Sequence, residues 1–490
     1  MTTNGEIFSM KRLTRLVVAN ELSNNHHMRK IHRLFGRVFI EDVFTPRGPV
    51  NRKMYINRGQ VEDDLARSAN DTLHIIIFGN SGCGKSWLYK KVFKEKGIFF
   101  LTVNLSGASS QQSIAKELVS TVGRRNGTGR VKKAKSHGFS WFITYSETEE
   151  LSTELDGHDA FLNALKHCRK LAGRRPAFLV FENLELIFEQ RDLLRELGNI
   201  IALLDDDQFA KFDVRIAIVG TPSNIRNYFR SVPRLETIAN RLIELEEIAR
   251  LSDEDVARFV ERGFRTLLKY REETNAVNYL IRRAITVTRG NAQRLHEFCK
   301  EVALQGQQDR FLSLERIEKG EREWLRRRFH INQTTVASWI VDPARETALM
   351  GQYLKDGYVS DLLLQNLYLC ALGLVKEDEF TVQDVTELIQ DELSAHPVTQ
   401  KVLRKLEGQI AMRTGSMLAK LADDINGASH PILDRFEPPS GNRIFRFRDM
   451  QYQMCLSSMF NVFDNGRRVE INHPSWVSST DDAQQRTSVE

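Results

Sequence analysis

The sequence predicts an α/β fold with a parallel sheet, followed by a helical region and a second, mainly helical part. Between residues 73 and 250, short apolar runs alternate with amphipathic segments, the pattern of a parallel sheet with helices on both faces. From residue 252 the apolar residues recur at helical spacing. Near the C-terminus, two short apolar runs flank a turn rich in proline and glycine, which indicates a hairpin.

The composition is that of an ordinary globular chain. Its 490 residues, 41% hydrophobic and 27% charged, suit about three domains and exclude the membrane and disordered classes. The net charge of +6 permits a polyanionic partner without requiring one. The five cysteines are scattered without a CxxC pair, so we expect a reducing, cytoplasmic compartment. No apolar stretch is long enough to span a bilayer, so no membrane contact is expected.

Basic residues concentrate in two segments. Residues 1–58 carry eleven Lys or Arg and four Asp or Glu. They form either a solvated, partly disordered leader or an arm that contacts phosphates or a neighbouring subunit. Residues 123–135 hold six basic residues and three glycines, which predicts a mobile basic loop.

The α/β part contains five candidate strands with helices between them. The strands are predicted at 74–78, 98–105, 177–181, 214–219 and 241–245. The helices are predicted from the glycine-rich turn to about 94, and over 110–122, 161–171 and 192–204.

The strongest local signal is the glycine-rich loop after the first strand. Residues 79–86 read GNSGCGKS and match GxxxxGK[ST] between a strand and a helix. In such a loop the backbone N–H groups and the helix N-terminus hold phosphate, the lysine neutralises it, and the hydroxyl binds Mg²⁺. We therefore predict an ATP and Mg²⁺ site at Gly79, Asn80, Ser81, Gly82, Cys83, Gly84, Lys85 and Ser86.

Besides the hydroxyl of the loop, a P-loop protein needs an acid that positions the metal at the end of a buried strand. Glu182 is at such a place. One strand, 98–105, lies between the two motifs in the chain, which predicts the P-loop subclass with an extra strand. The next position, where a water-activating acid would stand, is Asn183, and an amide cannot accept a proton as a carboxylate can. Either Glu185 substitutes, or hydrolysis is slow and the protein is mainly a switch. A polar surface turn is the alternative.

Three further positions are candidates for contacts with the nucleotide. Thr221 and Asn224 follow the fourth strand and could orient the attacking water, although an ordinary turn explains them equally well. Arg241 could act as an arginine finger on a neighbouring subunit. Arg234 competes for that role, and a plain surface arginine is as good an explanation. Arg294 could contact the γ-phosphate from a lid helix, or be solvated.

The remaining chain is predicted to form a helical lid and a C-terminal domain. Lid helices are expected at 253–268, 274–288, 291–305 and 312–328. Further helices at 359–376, 381–393 and 397–424 precede strands at 431–437 and 443–448. Three helices and a hairpin indicate a winged helix; a helical domain with an incidental hairpin is the alternative.

These segments divide the chain into five predicted parts. They are a basic leader (1–58), a P-loop α/β core (59–250), a helical lid (251–330), a winged-helix-like C-terminal domain (331–474) and a polar tail (475–490).

Residues 73–305 resemble an AAA+ ATPase, of the origin-recognition and initiator-like group or of the STAND-like signalling group. The matching segments are Walker A (79–86), the Walker B strand (178–182), sensor 1 (219–224) and sensor 2 (290–294). The resemblance implies ATP bound between subunits, homo-oligomers, and nucleotide-gated control of a partner or of DNA. This sequence departs from the family pattern at Asn183 and at sensor 2, where Gln293 holds the usual arginine position.

Three functions are compatible with these observations. The first is an ATP-dependent motor or switch on nucleic acid, in replication, transposition or antiviral defence against phage and other mobile DNA. Its DNA-reading helix would carry Lys401, Arg404, Lys405 and Arg413. The second is a signalling or scaffold ATPase that recruits an effector protein. The third, a small-molecule kinase, is disfavoured by the long lid and the absence of an evident acceptor site.

Overall fold

The computed structural model describes a large part of the chain, in two compact units. The described residues are 38–125, 157–188, 190–220, 236–329, 335–336, 361–394, 408–422, 431–437, 441, 443–463 and 468–471. The first unit, called the ATPase unit after its predicted ATP site, comprises the described residues of Arg47–Ser252 and Asn291–Gln293. The helical unit comprises those of Met1–Pro46, Asp253–Gly290 and Arg294–Glu490.

The ATPase unit is built on a parallel sheet of five strands. They are β1 (His74–Phe78), β2 (Phe99–Asn104), β3 (Ala177–Glu182), β4 (Val214–Gly220) and β5 (Leu242–Glu244). Their order is β2-β3-β4-β1-β5, and every neighbouring pair is parallel. The strands are almost continuously apolar because both faces of such a sheet are buried. The predicted α/β fold is therefore confirmed.

An extra strand separates β1 from β3, and it is β4 rather than β2. Ile218 on β4 pairs with Ile76 on one side and with Phe181 on the other. The strand that lies between the two motifs in the chain, β2, is at the edge of the sheet. The predicted extra strand between the two motif strands is therefore present, and in the sheet it is a strand that follows both motifs in the chain.

Helices pack on both faces of this sheet. In chain order the first helices are α1 (Ile40–Val43, in the helical unit), α2 (Gln60–Ser68), α3 (Lys85–Glu95), α4 (Leu105–Gln111), α5 (Ile114–Arg125), α6 (Gly157–Ala172), α7 (Arg191–Leu203) and α8 (Asp207–Ala210). Ile76 packs in the cluster with α5, α6 and α7, whereas Ile75 and Ile77 pack with α2 and α3, because successive strand residues face opposite sides.

The single helix predicted over 110–122 is wrong, because two helices, α4 and α5, occupy this stretch. Gln112 ends α4 in the left-handed region with φ 52°. The carboxylate of Glu196 then caps α5 by accepting hydrogen bonds from the N–H groups of Ile114 (2.8 Å) and Ala115 (3.0 Å). A distant residue therefore supplies the cap, which local sequence patterns do not reveal.

In the helical unit, four helices lie close to the predicted lid positions. They are α9 (Asp253–Glu261), α10 (Ala276–Thr288), α11 (Ala292–Gln305, whose first two residues belong to the ATPase unit) and α12 (Leu314–Arg328). A wider turn, Arg262–Leu267, continues α9, and two short parallel strands, β6 (Arg271–Glu272) and β7 (Phe311–Leu312), lie between the helices. A buried ion pair between Arg283 and Glu321 links α10 to α12.

The predicted leader is not solvated throughout. Ile40, Val43 and Phe44 are buried in the helical unit, and Met54 is buried in the ATPase unit. Residues 1–37 lie outside the described residues, as does most of the predicted loop at 123–135, of which residues 123–125 end α5. The division of the chain into five parts stays a prediction.

The C-terminal part combines helices with a small antiparallel sheet. Its elements are α13 (Asp361–Leu374), β8 (Glu379–Thr381), α14 (Val382–Ser394), α15 (Ile410–Ala422), β9 (Leu433–Phe436), β10 (Ile444–Phe447), α16 (Met450–Met459), β11 (Phe460–Phe463) and β12 (Arg468–Ile471). The predicted hairpin is present as β9 and β10, and the unpredicted β8 adds a third strand in the order β8-β10-β9. Of the predicted DNA-reading residues, Arg413 lies on α15, and Lys401, Arg404 and Lys405 lie outside the described residues.

Within the described parts of the chain, none of the helices is both long and apolar enough to cross a membrane.

Candidate nucleotide-binding site

The loop between β1 and α3 is shaped by glycines that no other residue could replace without strain. Gly79 has φ 144°, and a Cβ atom there would lie 2.7 Å from the Ile248 carbonyl oxygen. Gly82 has φ 79°, and a Cβ atom there would lie 2.6 Å from Oδ1 of Asn291. The loop therefore needs glycine both for its backbone angles and for the close approach of its neighbours.

Lys85 lies across its own loop. Its Nζ donates hydrogen bonds to the carbonyl oxygens of Gly79 (2.7 Å) and Asn80 (2.9 Å). Charged phosphate oxygens are stronger acceptors than neutral carbonyls. The ammonium group is therefore held within the loop and can exchange these carbonyls for phosphate.

Arg58 ties the loop to the segment after β5, which sequence reasoning missed. Its Nη2 donates to the Cys83 carbonyl oxygen (2.5 Å), and its Nη1 donates to that of Ala249 (2.9 Å). The Arg58 backbone N–H donates to the buried carboxylate of Glu62 (2.7 Å). In the sequence Arg58 is one of many basic residues before residue 59, and nothing local distinguishes it.

Cys83 is fully buried within the loop. Burial raises the pKa of its thiol, although Lys85 and Arg58 act in the opposite direction. A thiol that stays protonated is a poor nucleophile. The side chain therefore fills space within the loop.

Glu182, the predicted metal acid, contacts the helix that follows the loop. Its Oε1 accepts hydrogen bonds from Tyr89 Oη (2.9 Å) and from Lys90 Nζ (3.3 Å). Residues three and four positions apart share one face of a helix, so Ser86, Tyr89 and Lys90 lie on the same face of α3. A carboxylate and a hydroxyl are the hard oxygen donors that Mg²⁺ prefers. The residues present therefore suit Mg²⁺, and its binding by Ser86 and Glu182 stays a prediction.

Asn183 begins the turn that follows β3. Its φ is 65°, in the left-handed region that Asn tolerates, and its side chain bonds to Asn104, at the end of β2. Glu185 lies in the short helical turn Leu184–Leu186 and is exposed. Glu182 and Asn183 thus lie at the carboxyl ends of the strands, the same end of the sheet from which the loop leaves β1. Glu185 lies one turn beyond them.

Arg241 lies at the end of the sheet where β1 begins, which is opposite to the end that bears the loop. It forms an ion pair with Asp205, and the next residue, Leu242, pairs with His74, the first residue of β1. The glycine-rich loop follows the other end of β1, about 15 Å away at ~3.3 Å per residue. Arg241 therefore lies far from the loop of its own chain, and its role as an arginine finger stays a prediction.

Arg294 has partners within the helical unit. Its Nη1 donates to Glu297 Oε2 (2.8 Å), and its guanidinium carbon lies 4.7 Å from the centre of the Phe329 ring. Its predicted contact with nucleotide is untested. Thr221, Asn224 and Arg234 lie outside the described residues, and β4 ends at Gly220 just before the first of them.

Asn291 contacts the loop directly, and sequence reasoning had considered it only as a neighbour of Arg294. Its Nδ2 donates to the Ser81 carbonyl oxygen (2.7 Å), and the backbone N–H of Gln293 donates to that of Gly82 (3.0 Å). The signal that could have found it is its position in the Gly-Asn turn before a helix, since Asn side chains commonly bond to backbone in such turns.

The sequence also matches a known family in this region. Residues 69–229 match the model of the AAA domain. This span contains β1, the loop, β3 and β4, and therefore both predicted motifs. This part of the chain is therefore similar to an AAA domain.

Three solved structures, all from archaea, are similar over most of the chain. The Aeropyrum pernix ORC1 protein in complex with DNA is 14% identical, with 85% of this chain and 96% of that chain covered and a TM-score of 0.39. The Walker-type ATPase paby2304 of Pyrococcus abyssi is 13% identical, with 84% and 99% covered and a TM-score of 0.46. The Aeropyrum pernix ORC2 protein in its ADP form is 12% identical, with 83% and 93% covered and a TM-score of 0.43. Likenesses this distant assign no function, and no curated protein is significantly similar to the chain.

Proposed function

We propose that the protein binds ATP with Mg²⁺ at the glycine-rich loop, hydrolyses it slowly, and acts as a nucleotide-dependent switch or motor on nucleic acid. The observation that carries the proposal is the contact of Glu182 with α3, on the helix face that also bears Ser86. This contact supports a site in which the loop binds phosphate and Glu182 binds the metal, and a cytoplasmic location, expected from the cysteine pattern, would supply ATP.

The chain's own residues divide the chemistry between them. The loop N–H groups and Lys85 would hold the β- and γ-phosphates, while Ser86 and Glu182 would hold Mg²⁺, which spreads the charge that develops on the phosphates. Asn183 can orient a water molecule through its amide but cannot take its proton. Slow turnover follows unless the exposed Glu185 supplies the base.

The position of Arg241 supports an oligomer. Because Arg241 lies at the end of the sheet away from its own loop, it could stabilise a transferred phosphate only across a boundary between two copies of the chain. We therefore propose that ATP promotes assembly of a homo-oligomer in which each Arg241 leaves Asp205 and contacts its neighbour's nucleotide.

The C-terminal part supports a winged helix as the effector module. Among the described residues, the elements come in the order α13, β8, α14, α15, β9, β10 with the sheet order β8-β10-β9, and this order supports a fold of helices followed by a hairpin wing. In this arrangement α15 is the helix that would enter the major groove of DNA.

A second candidate function is a signalling or scaffold ATPase that binds an effector protein. It is favoured by the charges on the small sheet, where three arginines each lie beside an acid. The ion pairs are Arg443–Glu437 (3.1 Å), Arg446–Glu379 (3.8 Å) and Arg448–Asp434 (3.0 Å). Pairing of this kind leaves less positive charge in the described wing for phosphates, and it suits a protein surface.

The first experiment tests the nucleotide site. Lys85→Ala is expected to weaken ATP binding roughly 10- to 100-fold, the loss of a hydrogen bond to a charged group, with the melting temperature unchanged. Lys94→Ala is the matched control, because Lys94 is an exposed lysine on the same helix. Equal ATP affinities for Lys85→Ala and the wild type would rule out the site.

The second experiment separates the two functions. Particle size by light scattering and DNA binding by fluorescence anisotropy are measured with and without ATP, at increasing salt. A switch on nucleic acid should bind DNA with ATP and lose affinity steeply as salt increases. Assembly with ATP and no DNA binding at low salt would favour the effector-binding function.

A further inference from the structure

Two residues outside both Walker motifs hold the carboxylate of Glu182. Tyr89 and Lys90 follow Ser86 by one helical turn, and both donate to the same oxygen of Glu182, at 2.9 Å and 3.3 Å. They differ in exposure, because Tyr89 is 0% exposed whereas the Lys90 side chain is 37% exposed. Tyr89 is therefore fixed by the core, and Lys90 can turn towards solvent.

The hydroxyl of Tyr89 also has a partner on the sheet. Its Oη lies 3.1 Å from Oγ1 of Thr102 on β2. An ionised carboxylate can only accept, so Tyr89 donates to Glu182 and the Thr102 hydroxyl donates to Tyr89. Burial, followed by the nearby carboxylate, raises the pKa of Tyr89, so the phenol keeps the proton that it donates. Thr102 and Tyr89 thus set the direction in which the Glu182 carboxylate points.

Lys90 supplies a positive charge beside the predicted metal acid. Its Nζ is in ion-pair contact with Glu182 on the face of α3 that bears Ser86. A divalent cation held there by Ser86 and Glu182 would repel the ammonium group and compete for the same carboxylate. The Lys90 side chain is 37% exposed and that of Glu182 17% exposed, so the lysine can leave the pair for solvent at a modest cost.

Resting on the proposed function, we propose that Lys90 is the counter-ion of Glu182 in the metal-free site and gives up this ion pair when Mg²⁺ binds. Tyr89 is the positioning residue that keeps the carboxylate in place through the exchange. The Mg²⁺ affinity of the site would then depend on two separate effects. The Lys90 ammonium group competes with Mg²⁺ for the carboxylate, and the Tyr89 hydroxyl holds the carboxylate in position.

The exchange is tested by titrating the ATP-bound full chain with Mg²⁺. Binding of a fluorescent nucleotide reports the titration, and electron paramagnetic resonance reports it when Mn²⁺ replaces Mg²⁺. Lys90→Met should lower the Mg²⁺ concentration at half-saturation about two- to fivefold, as expected for removal of one ion pair whose lysine reaches solvent. Lys94→Met, the same change one turn along α3, should leave it unchanged. No decrease for Lys90→Met overturns the exchange, and an increase would make Lys90 a phosphate contact instead.

The positioning role is tested by Tyr89→Phe, which removes only the hydroxyl. The Mg²⁺ concentration at half-saturation should rise about tenfold, as expected for loss of a hydrogen bond to a charged group, while ATP affinity in EDTA stays the same. Thr102→Val should give part of this rise, because it removes the partner of the phenol. Tyr55→Phe is the control, since the Tyr55 hydroxyl donates to Glu62 rather than to Glu182. An unchanged Mg²⁺ requirement in Tyr89→Phe overturns the role.

The wild type separates these outcomes from failure of the proposed function. A wild-type chain that binds no ATP, with Mg²⁺ or with EDTA, refutes the nucleotide site itself. A wild-type chain that binds ATP but shows no saturable response to Mg²⁺ or Mn²⁺ refutes the metal site, and the inference with it. A wild-type chain with a normal Mg²⁺ response that Lys90→Met and Tyr89→Phe leave unchanged refutes the inference alone.

Discussion

The side chain of Asn183 donates a hydrogen bond from Nδ2 to Oδ1 of Asn104 over 2.8 Å, between the ends of two neighbouring strands. The same Asn104 oxygen accepts the backbone N–H of Ser106 (3.0 Å) and so begins α4. The residue beside the predicted metal acid is thus an amide tied to a helix cap. Its position suits orientation of a water molecule, and its chemistry does not suit removal of the proton.

Asn183→Glu is expected to raise ATP turnover about a hundredfold, because a carboxylate can act as the general base that an amide cannot replace. Steady-state phosphate release measures the change. Asn183→Gln is the matched control, with the same length as glutamate but no basic oxygen. An unchanged rate for Asn183→Glu would count against a slow switch and would direct attention to Glu185.

Asn291→Ala should weaken ATP binding about fivefold, as expected for loss of one hydrogen bond that orders the loop. Equilibrium binding of a fluorescent ATP analogue measures the effect. Gln293→Ala is the control, because Gln293 contacts Gly82 through its backbone N–H, which alanine retains. Equal losses for the two variants would show that the contacts act through the helix rather than through the Asn291 amide.

Arg58→Ala should weaken ATP binding roughly tenfold, because the variant loses both hydrogen bonds to the Cys83 and Ala249 carbonyl groups. Added guanidinium at millimolar concentration should restore part of the affinity, whereas the same concentration of NaCl should not. Arg67→Ala, on the exposed side of α2, is expected to bind ATP normally. Failure of guanidinium to rescue binding would contradict a direct role for the Arg58 side chain.

His74 makes the ATPase unit less stable in acid. It is buried in β1, its Nδ1 accepts the Ile216 N–H (3.2 Å), and burial lowers its pKa to about 4. The unfolded chain binds the proton at the ordinary pKa of ~6.5, so the stabilisation is complete above that pH and is lost as pH falls through 4. The full loss is about 3 kcal/mol.

Melting temperatures at pH 7 and pH 5 test this expectation. His74→Asn keeps an acceptor for the Ile216 N–H but does not titrate, so its melting temperature should fall less than that of the wild type. Buried His296, whose pKa is lowered to about 3, titrates in both proteins and does not affect the comparison. Parallel decreases for the two proteins would contradict the prediction.

The parts of the site predicted from sequence are those that depend on adjacent residues. The strand, loop and helix around Lys85 are continuous in the chain, and Glu182 ends a run whose burial is evident from its composition. Arg58 and Asn291 were missed because each bonds to loop carbonyls from far away in the chain. Every residue has a backbone carbonyl group, so the residue types of the loop do not indicate which side chains will bond to its carbonyl oxygens.

The fold shows the same division between local and distant information. The hairpin of β9 and β10 was predicted because its turn chemistry is local. In contrast, β8 was missed because three residues carry too little periodicity to indicate a strand. Its pairing partner, β10, follows more than sixty residues later.

The strand β4 sets the distance between the two halves of the nucleotide site. It separates β1, which leads into the loop, from β3, which ends at Glu182, and two strand spacings make this distance about 10 Å. Ala217 pairs with Ile75 on one side and Val180 on the other and is fully buried. Its side chain packs in the cluster that contains residues of α3, so a bulkier side chain would push α3 away from the sheet and misalign the loop and Glu182, although every phosphate and metal ligand would be chemically intact. We therefore expect an inactive variant with a larger residue at Ala217 to regain activity when a side chain packed against this position is made smaller. Changes to the phosphate and metal ligands themselves would not restore it.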